Sequence, residues 1–133
     1  MMVTGLSKEE PARDDGKVIW KTRAELLRVL AHPVRLMILE ALSEGPLCVK
    51  DLNDLVNIIQ PRLSQHMAIL RSEKLVACHS CGTLRCYYLL RPAMIRKLIA
   101  LLRQEHTPRV RDRSYVLREV QRNAKASQTA KRT

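Results

Sequence analysis

The stretch Gln60-Pro61-Arg62-Leu63-Ser64-Gln65-His66-Met67-Ala68-Ile69-Leu70-Arg71-Ser72 decides how this chain folds. Pro61 stands where a helix begins, because its missing N–H costs nothing in a first turn. Leu63, Met67, Ile69 and Leu70 form the inner positions of that helix. Gln60, Arg62, Ser64 and Gln65 are left on its polar side, near its N-terminus. Just upstream, Val49–Val56 reads as a second short helix with Leu52, Leu55 and Val56 apolar, joined through Asn57-Ile58-Ile59. Two short helices with so tight a connection fit a helix-turn-helix.

The flanks extend the pattern. Pro33 starts a helix reaching Ser43, with Val34, Leu36, Met37, Leu39, Ala41 and Leu42 as its buried side, and Gly45-Pro46 stops it. Lys17–Leu30 is predicted helical before it, and Pro46-Leu47-Cys48 forms a short extended piece after it. Leu75–Cys78 and Leu84–Leu90, separated by a turn signal at Cys81-Gly82, read as a β-hairpin. Pro92 opens a last helix to about His106, whose wide apolar face holds Met94, Ile95, Leu98, Ile99, Leu101 and Leu102. The expected class is mainly α with a small β-hairpin, in the order of a winged helix-turn-helix. Residues 1–16 read as a flexible leader, 17–106 as the domain, and 107–133 as a basic C-terminal tail, partly helical or disordered.

Composition agrees. In 133 residues Phe is absent and aromatics total 3%, so the core must come from aliphatic side chains packed between helices. The net charge of +11 attracts polyanions. The leader is net acidic, while the body and the tail are each net basic. Met1–Gly16 lacks the apolar stretch of a secretory signal, and no apolar run approaches a membrane span. A cytoplasmic protein with no membrane partner is expected, and such a protein keeps its thiols reduced.

Leu30–Leu39, Leu47–Leu52, Gln60–Arg71 with Leu75-Val76, and the Tyr87-Tyr88-x-Leu90 ending together resemble the ArsR/SmtB family of bacterial repressors. The likeness spans roughly residues 17–106. It implies a homodimer joined by the first and last helices, through Val18, Trp20, Ile95, Leu98, Ile99 and Leu102. It also implies recognition helices in successive major grooves of double-stranded operator DNA, released when an inducer binds. No cofactor is implied for DNA binding itself.

The polar residues suit that role. Arg62 can pair bidentately with guanine, and Gln60 and Gln65 with adenine, with Ser64 beside them. Lys50, His66 and Arg71 stand where phosphates would be met. On the hairpin the family's cationic tip is replaced by His79-Ser80-Cys81-Gly82-Thr83, leaving His79 and Arg85 to face DNA. His32, beside Pro33, is expected to cap or pack at a helix start. The acidic and histidine cluster that gives some family members a zinc site in the last helix is missing around His106.

Cysteine placement is the least ordinary feature. Cys78, Cys81 and Cys86 crowd into nine residues. A three-residue loop of Cys81-Gly82-Thr83 would set Cys78 opposite Cys86, with Cβ atoms about 5 Å apart. Cys81 could then fold back to join them. Three thiolates suit As(III) or Sb(III), and a fourth ligand such as His79 would suit Cd(II) or Zn(II). A two-residue loop would instead oppose Cys78 with Arg85 and spoil the pair, and spacing leaves both open. Cys48 matches the first cysteine of the family's Cys-Val-Cys metal box, but Lys50 takes the second place, so Cys48 is the lesser candidate. Sensing by disulfide or persulfide is the alternative to metal. No phosphate-binding glycine loop, Gly-x-Ser-x-Gly or paired carboxylates are present, so an enzyme is not expected. A DNA binder without an effector, and a winged helix that binds protein, are the other rivals.

Overall fold

The computed structural model describes residues 12–132. It forms two compact units that divide after Arg103. The first contains α1 (Ala12–Leu30), α2 (Pro33–Ser43), β1 (Leu47–Cys48), α3 (Val49–Val56), α4 (Gln60–Ser72), β2 (Val76–Cys81), β3 (Leu84–Leu89) and α5 (Pro92–Arg103). The second contains α6 (Arg113–Arg132). This is the expected winged helix-turn-helix, with a short additional strand, β1, completing an antiparallel sheet in the order β1-β3-β2.

Each boundary has a local cause. His32 caps α2, its Nδ1 accepting the Val34 N–H at 3.1 Å, and Pro33 follows in the first turn. Asn57 ends α3 in the left-handed conformation (φ 59°), which asparagine tolerates better than most residues. Ile59 and Pro61 then restart the chain as α4. Gly82 has φ +62° at the first position of the two-residue hairpin turn Gly82-Thr83, where a side chain would be strained.

The core is aliphatic, as composition required. Ile38, Leu39 and Leu42 of α2 meet Leu52 and Val56 of α3, Leu63, Met67 and Leu70 of α4, and Ile95 and Ile99 of α5. Leu75, Val76, Tyr87 and Leu89 close it from the sheet side. Arg103 ties α5 to α2 through both Nε and Nη2 on one Glu40 oxygen, at 3.2 and 2.7 Å. Arg35 of α2 donates to the Val29 carbonyl of α1 at 2.6 Å.

Several expectations change. Helix α1 begins at Ala12, so residues 12–16 are helical rather than leader, and residues 1–11 lie outside the described part. Helix α5 ends at Arg103, three residues short of His106. Beyond Pro108, Arg113–Arg132 is one continuous helix. Ile38, left out of the expected buried side of α2, is fully buried, while Met37, Leu55 and Ile69 are exposed. A period-based reading cannot fix a helix's rotation when apolar residues surround it, and neighbouring elements select the inner stripe.

The intended dimer residues divide in two. Ile95 (0% exposed) and Ile99 (7%) belong to the subunit's own core, so they cannot face a partner. Leu98 packs half-buried against that core. Val18 (59%), Trp20 (67%) and Leu102 (56%) remain open. Truncating Ile95 to Ala should therefore cost the folded subunit about 2–5 kcal/mol. Leu84→Ala, at an open wing position, should stay within about 0.5 kcal/mol of the parent. Urea unfolding of both variants measures the difference.

Candidate nucleic-acid interface

Gln60, Arg62, Ser64 and Gln65 are all exposed on α4, opposite the buried Leu63, Met67 and Leu70. Burying that stripe turns the polar residues outward. Lys50 is exposed in the first turn of α3, and Arg71 in the last turn of α4. Lys50, Gln60 and Arg85 come from three elements, yet they line one open concavity with Cys48, Val49, Asn53, Thr83 and Leu84. A cationic hollow between the helix-turn-helix and the wing can accept a phosphate-bearing strand. Asn53 and Thr83 were missed in the sequence, because only the approach of the wing to α3 brings them to the same concavity.

His66 occupies a different place from its expected one. Its ring lies 4.6 Å from that of His32, tilted by 52°. Its Nδ1 is buried, with no hydrogen-bond partner among the described residues. Burial foremost, then the nearby charges of His32, Arg35 and Arg62, lowers its pKa from the ordinary histidine value. A half-buried histidine held neutral against another ring is a packing residue of the α2–α4 contact and a poor phosphate ligand.

The wing departs further. With Gly82-Thr83 as the turn, Cys81 pairs with Leu84, Ser80 with Arg85, His79 with Cys86 and Cys78 with Tyr87. The turn is one residue shorter than the loop that would oppose Cys78 to Cys86. A one-residue change of register moves a side chain to the other face of the sheet. Cys78 therefore shares the inner face with buried Tyr87 and packs against the core. Cys86 shares the outer face with exposed His79. The expected convergence of Cys78 and Cys86 does not occur, and the Cys81 side chain lies outside the described part. Among the described residues no three His, Cys, Asp or Glu side chains come together as a metal site.

Strand β1 supplies the unexpected neighbour. It pairs Leu47 with Tyr87 and Cys48 with Cys86. The row Cys48–Cys86–His79 thus runs across all three strands on one face. Cys48 is also the N-cap residue of α3, and its thiol donates to Asp51 Oδ2 at 3.2 Å. Cys48, Cys78 and Cys86 are all free thiols of intermediate burial. On the inner face Arg85 is hydrogen-bonded to the Cys78 side chain, and this bond, with the attraction of Tyr87 and Cys78, raises its already high pKa. Arg85 therefore remains a permanent cation beside the concavity.

A winged helix-turn-helix with an open polar face on its second helix defines a class of DNA-binding regulators, not enzymes. Residues 32–77 match the family model described as bacterial regulatory protein, arsR family. The chain is 45% identical over 53 residues to a biofilm growth-associated repressor of Xylella fastidiosa, covering 40% of this chain and 46% of that protein. It therefore spans under half the length of that relative. It is 40% identical over 70 residues to the arsenical resistance operon repressor of Staphylococcus xylosus, covering 53% of this chain and 67% of that one. The reduced form of HlyU from Vibrio cholerae superposes with a TM-score of 0.61 at 31% identity, over 68% of this chain and 98% of that one. The chain belongs to the ArsR family of bacterial regulators.

The lowered pKa of His66 carries a sign. The unfolded chain takes up this proton more readily than the folded one, so stability is full above the ordinary histidine range and falls as pH drops through about 6.5. Thermal unfolding should give a lower Tm at about pH 5.5 than at about pH 7.5, and His66→Gln should narrow that gap.

Proposed function

We propose that this chain is a transcriptional repressor that holds duplex operator DNA as a homodimer and lets go when a thiophilic effector reaches its cysteines. The observation that carries this reading is the shared concavity, where Lys50, Gln60 and Arg85 stand beside Cys48. Effector chemistry at Cys48 there acts within the DNA-facing surface, so no long pathway of coupling is needed.

Helix α4 enters the major groove, with Arg62 and Gln65 reading base edges and Ser64 supporting them. Lys50, Arg71 and the wing's Arg85 and His79 meet phosphates. The open apolar residues Val18 and Trp20 of α1 and Leu102 of α5 are the surface assigned to the second copy. No helix among the described residues is long and apolar enough to cross a membrane, and a cytoplasmic setting fits free thiols.

The effector is assigned as As(III) or Sb(III), or else Cd(II) or Zn(II). The name of the Staphylococcus relative supports the metalloid. Cys86 is its principal ligand, with Cys48 as the adjoining thiol. Cys81 is the further candidate, and Cys78 lies across the sheet. Thiol oxidation is the second reading, favoured by the direct opposition of Cys48 and Cys86.

Fluorescence anisotropy on palindromic promoter fragments tests the assignment. Affinity should fall steeply as salt rises. Arg62→Ala should cost about 1–3 kcal/mol and relax specificity at one base position. Arsenite or cadmium should release the wild-type protein, with sulfur-to-metal charge-transfer absorbance rising in step. Cys86→Ser should bind DNA as before and resist release. Salt-insensitive or absent DNA binding would remove the repressor reading, and full release of Cys86→Ser would remove the ligand assignment.

A further inference from the structure

We propose that Cys48 and Cys86 close into a reversible intramolecular disulfide that ties the start of the helix-turn-helix to the central strand of the wing. The DNA consequence rests on the repressor reading above, while the thiol chemistry does not.

Geometry is the first ground. Cys48 and Cys86 are register partners in the antiparallel β1–β3 ladder. Directly opposed residues in such a ladder have Cα atoms roughly 4.5–5.5 Å apart and side chains on the same face. That separation lies inside the roughly 4.4–6.8 Å that a disulfide spans without backbone movement. Both thiols are free and neither is fully buried, so a small oxidant can reach them.

Selectivity is the second ground. Cys78 is only 8 positions from Cys86 in the chain, but it sits on the inner face opposite Tyr87 and packs against the core. Cys86 therefore has Cys48 as its cross-strand thiol partner, 38 positions away in the chain. Closing a loop of that length restricts the unfolded chain appreciably. His79 flanks Cys86 from the other strand, on the same face of the sheet.

With a hydroperoxide as oxidant the step balances. One thiolate attacks a peroxide oxygen, the O–O bond breaks, and the sulfur becomes a sulfenic acid as the first water (or alcohol) departs. The second thiolate attacks that sulfur, the S–S bond forms, and hydroxide leaves with a proton as another water. Two thiols are oxidised by two electrons and one peroxide is reduced. Excess dithiol reverses the bond by exchange.

The consequence is local to the DNA-facing surface. The Cys48 thiol now donates to Asp51 in the first turn of α3. In the disulfide that donor is gone, and the helix start is fastened to β3 instead. Lys50 and Gln60 on one side of the concavity, and Arg85 on the other, then lose their freedom to adjust to a groove.

The test treats reduced full-length protein with hydrogen peroxide and quenches it with an alkylating agent. Peptide mapping by mass spectrometry follows, with anisotropy on the same operator fragment in parallel. The expected product is a monomer-sized chain carrying a Cys48–Cys86 link, restored by dithiothreitol. Its operator affinity should be lower by roughly 5- to 150-fold. Cys48→Ser and Cys86→Ser, each checked for helicity by circular dichroism, should each bind the operator equally well before and after peroxide, and Cys78→Ser should respond like the parent. Links to Cys78 or Cys81, a link between two chains, or over-oxidation without any link would overturn the proposal. So would equal peroxide sensitivity in Cys86→Ser. The peptide map is read without DNA, so it stands or fails separately from operator binding.

Discussion

Tyr87 governs the arrangement of this molecule. It is buried under the helices from the middle strand of the sheet, opposite Leu47 on one side and Cys78 on the other. An aromatic ring committed to the core fixes which face of β3 points inward, and residue alternation does the rest. Leu89 follows it in, while Cys86 and Tyr88 turn out. Because β1 and β2 both pair with β3, one buried side chain sets the facing of every cysteine whose side chain is described. A slip of one residue would bring Cys86 inward and dissolve the Cys48–Cys86–His79 row.

The helices obey the same economy. Leu63, Met67 and Leu70 occupy the inner stripe of α4, so its polar residues have only the outer surface left. The open polar face is thus a by-product of core packing, and altering the core would turn different residues outward. His66 lies at the edge of that stripe. Its proximity to His32, the cap of α2, makes the α2–α4 contact sensitive to protonation.

The position of Cys48 joins two roles that are usually separate. As the N-cap residue of α3 it belongs to the helix-turn-helix, and as the last residue of β1 it belongs to the sheet. Chemistry at its sulfur is felt by both. A regulator that responds to thiol-seeking agents needs a bistable link between sensor and reader. In the function proposed above, that link is Cys48 alone.

Much was legible from the chain itself. Pro33, Pro61 and Pro92 open helices because proline is harmless only in a first turn, and Asn57 and Gly82 mark the tight connections. The sequence by itself therefore determined the order of elements, the winged helix-turn-helix class, and the polar residues of α4. It could not determine the hairpin register, because a two-residue and a three-residue loop satisfy the same Cys-Gly-Thr spacing and differ only in which face meets the core. Nor could it separate Ile95 and Ile99, which the core claims, from Leu102, which stays open, since all three share one apolar helix face. The pairing of Cys48 with Cys86 was beyond it for the same reason. A strand of two residues has no partner until Leu47 and Tyr87 are packed together, and that packing belongs to the tertiary structure alone.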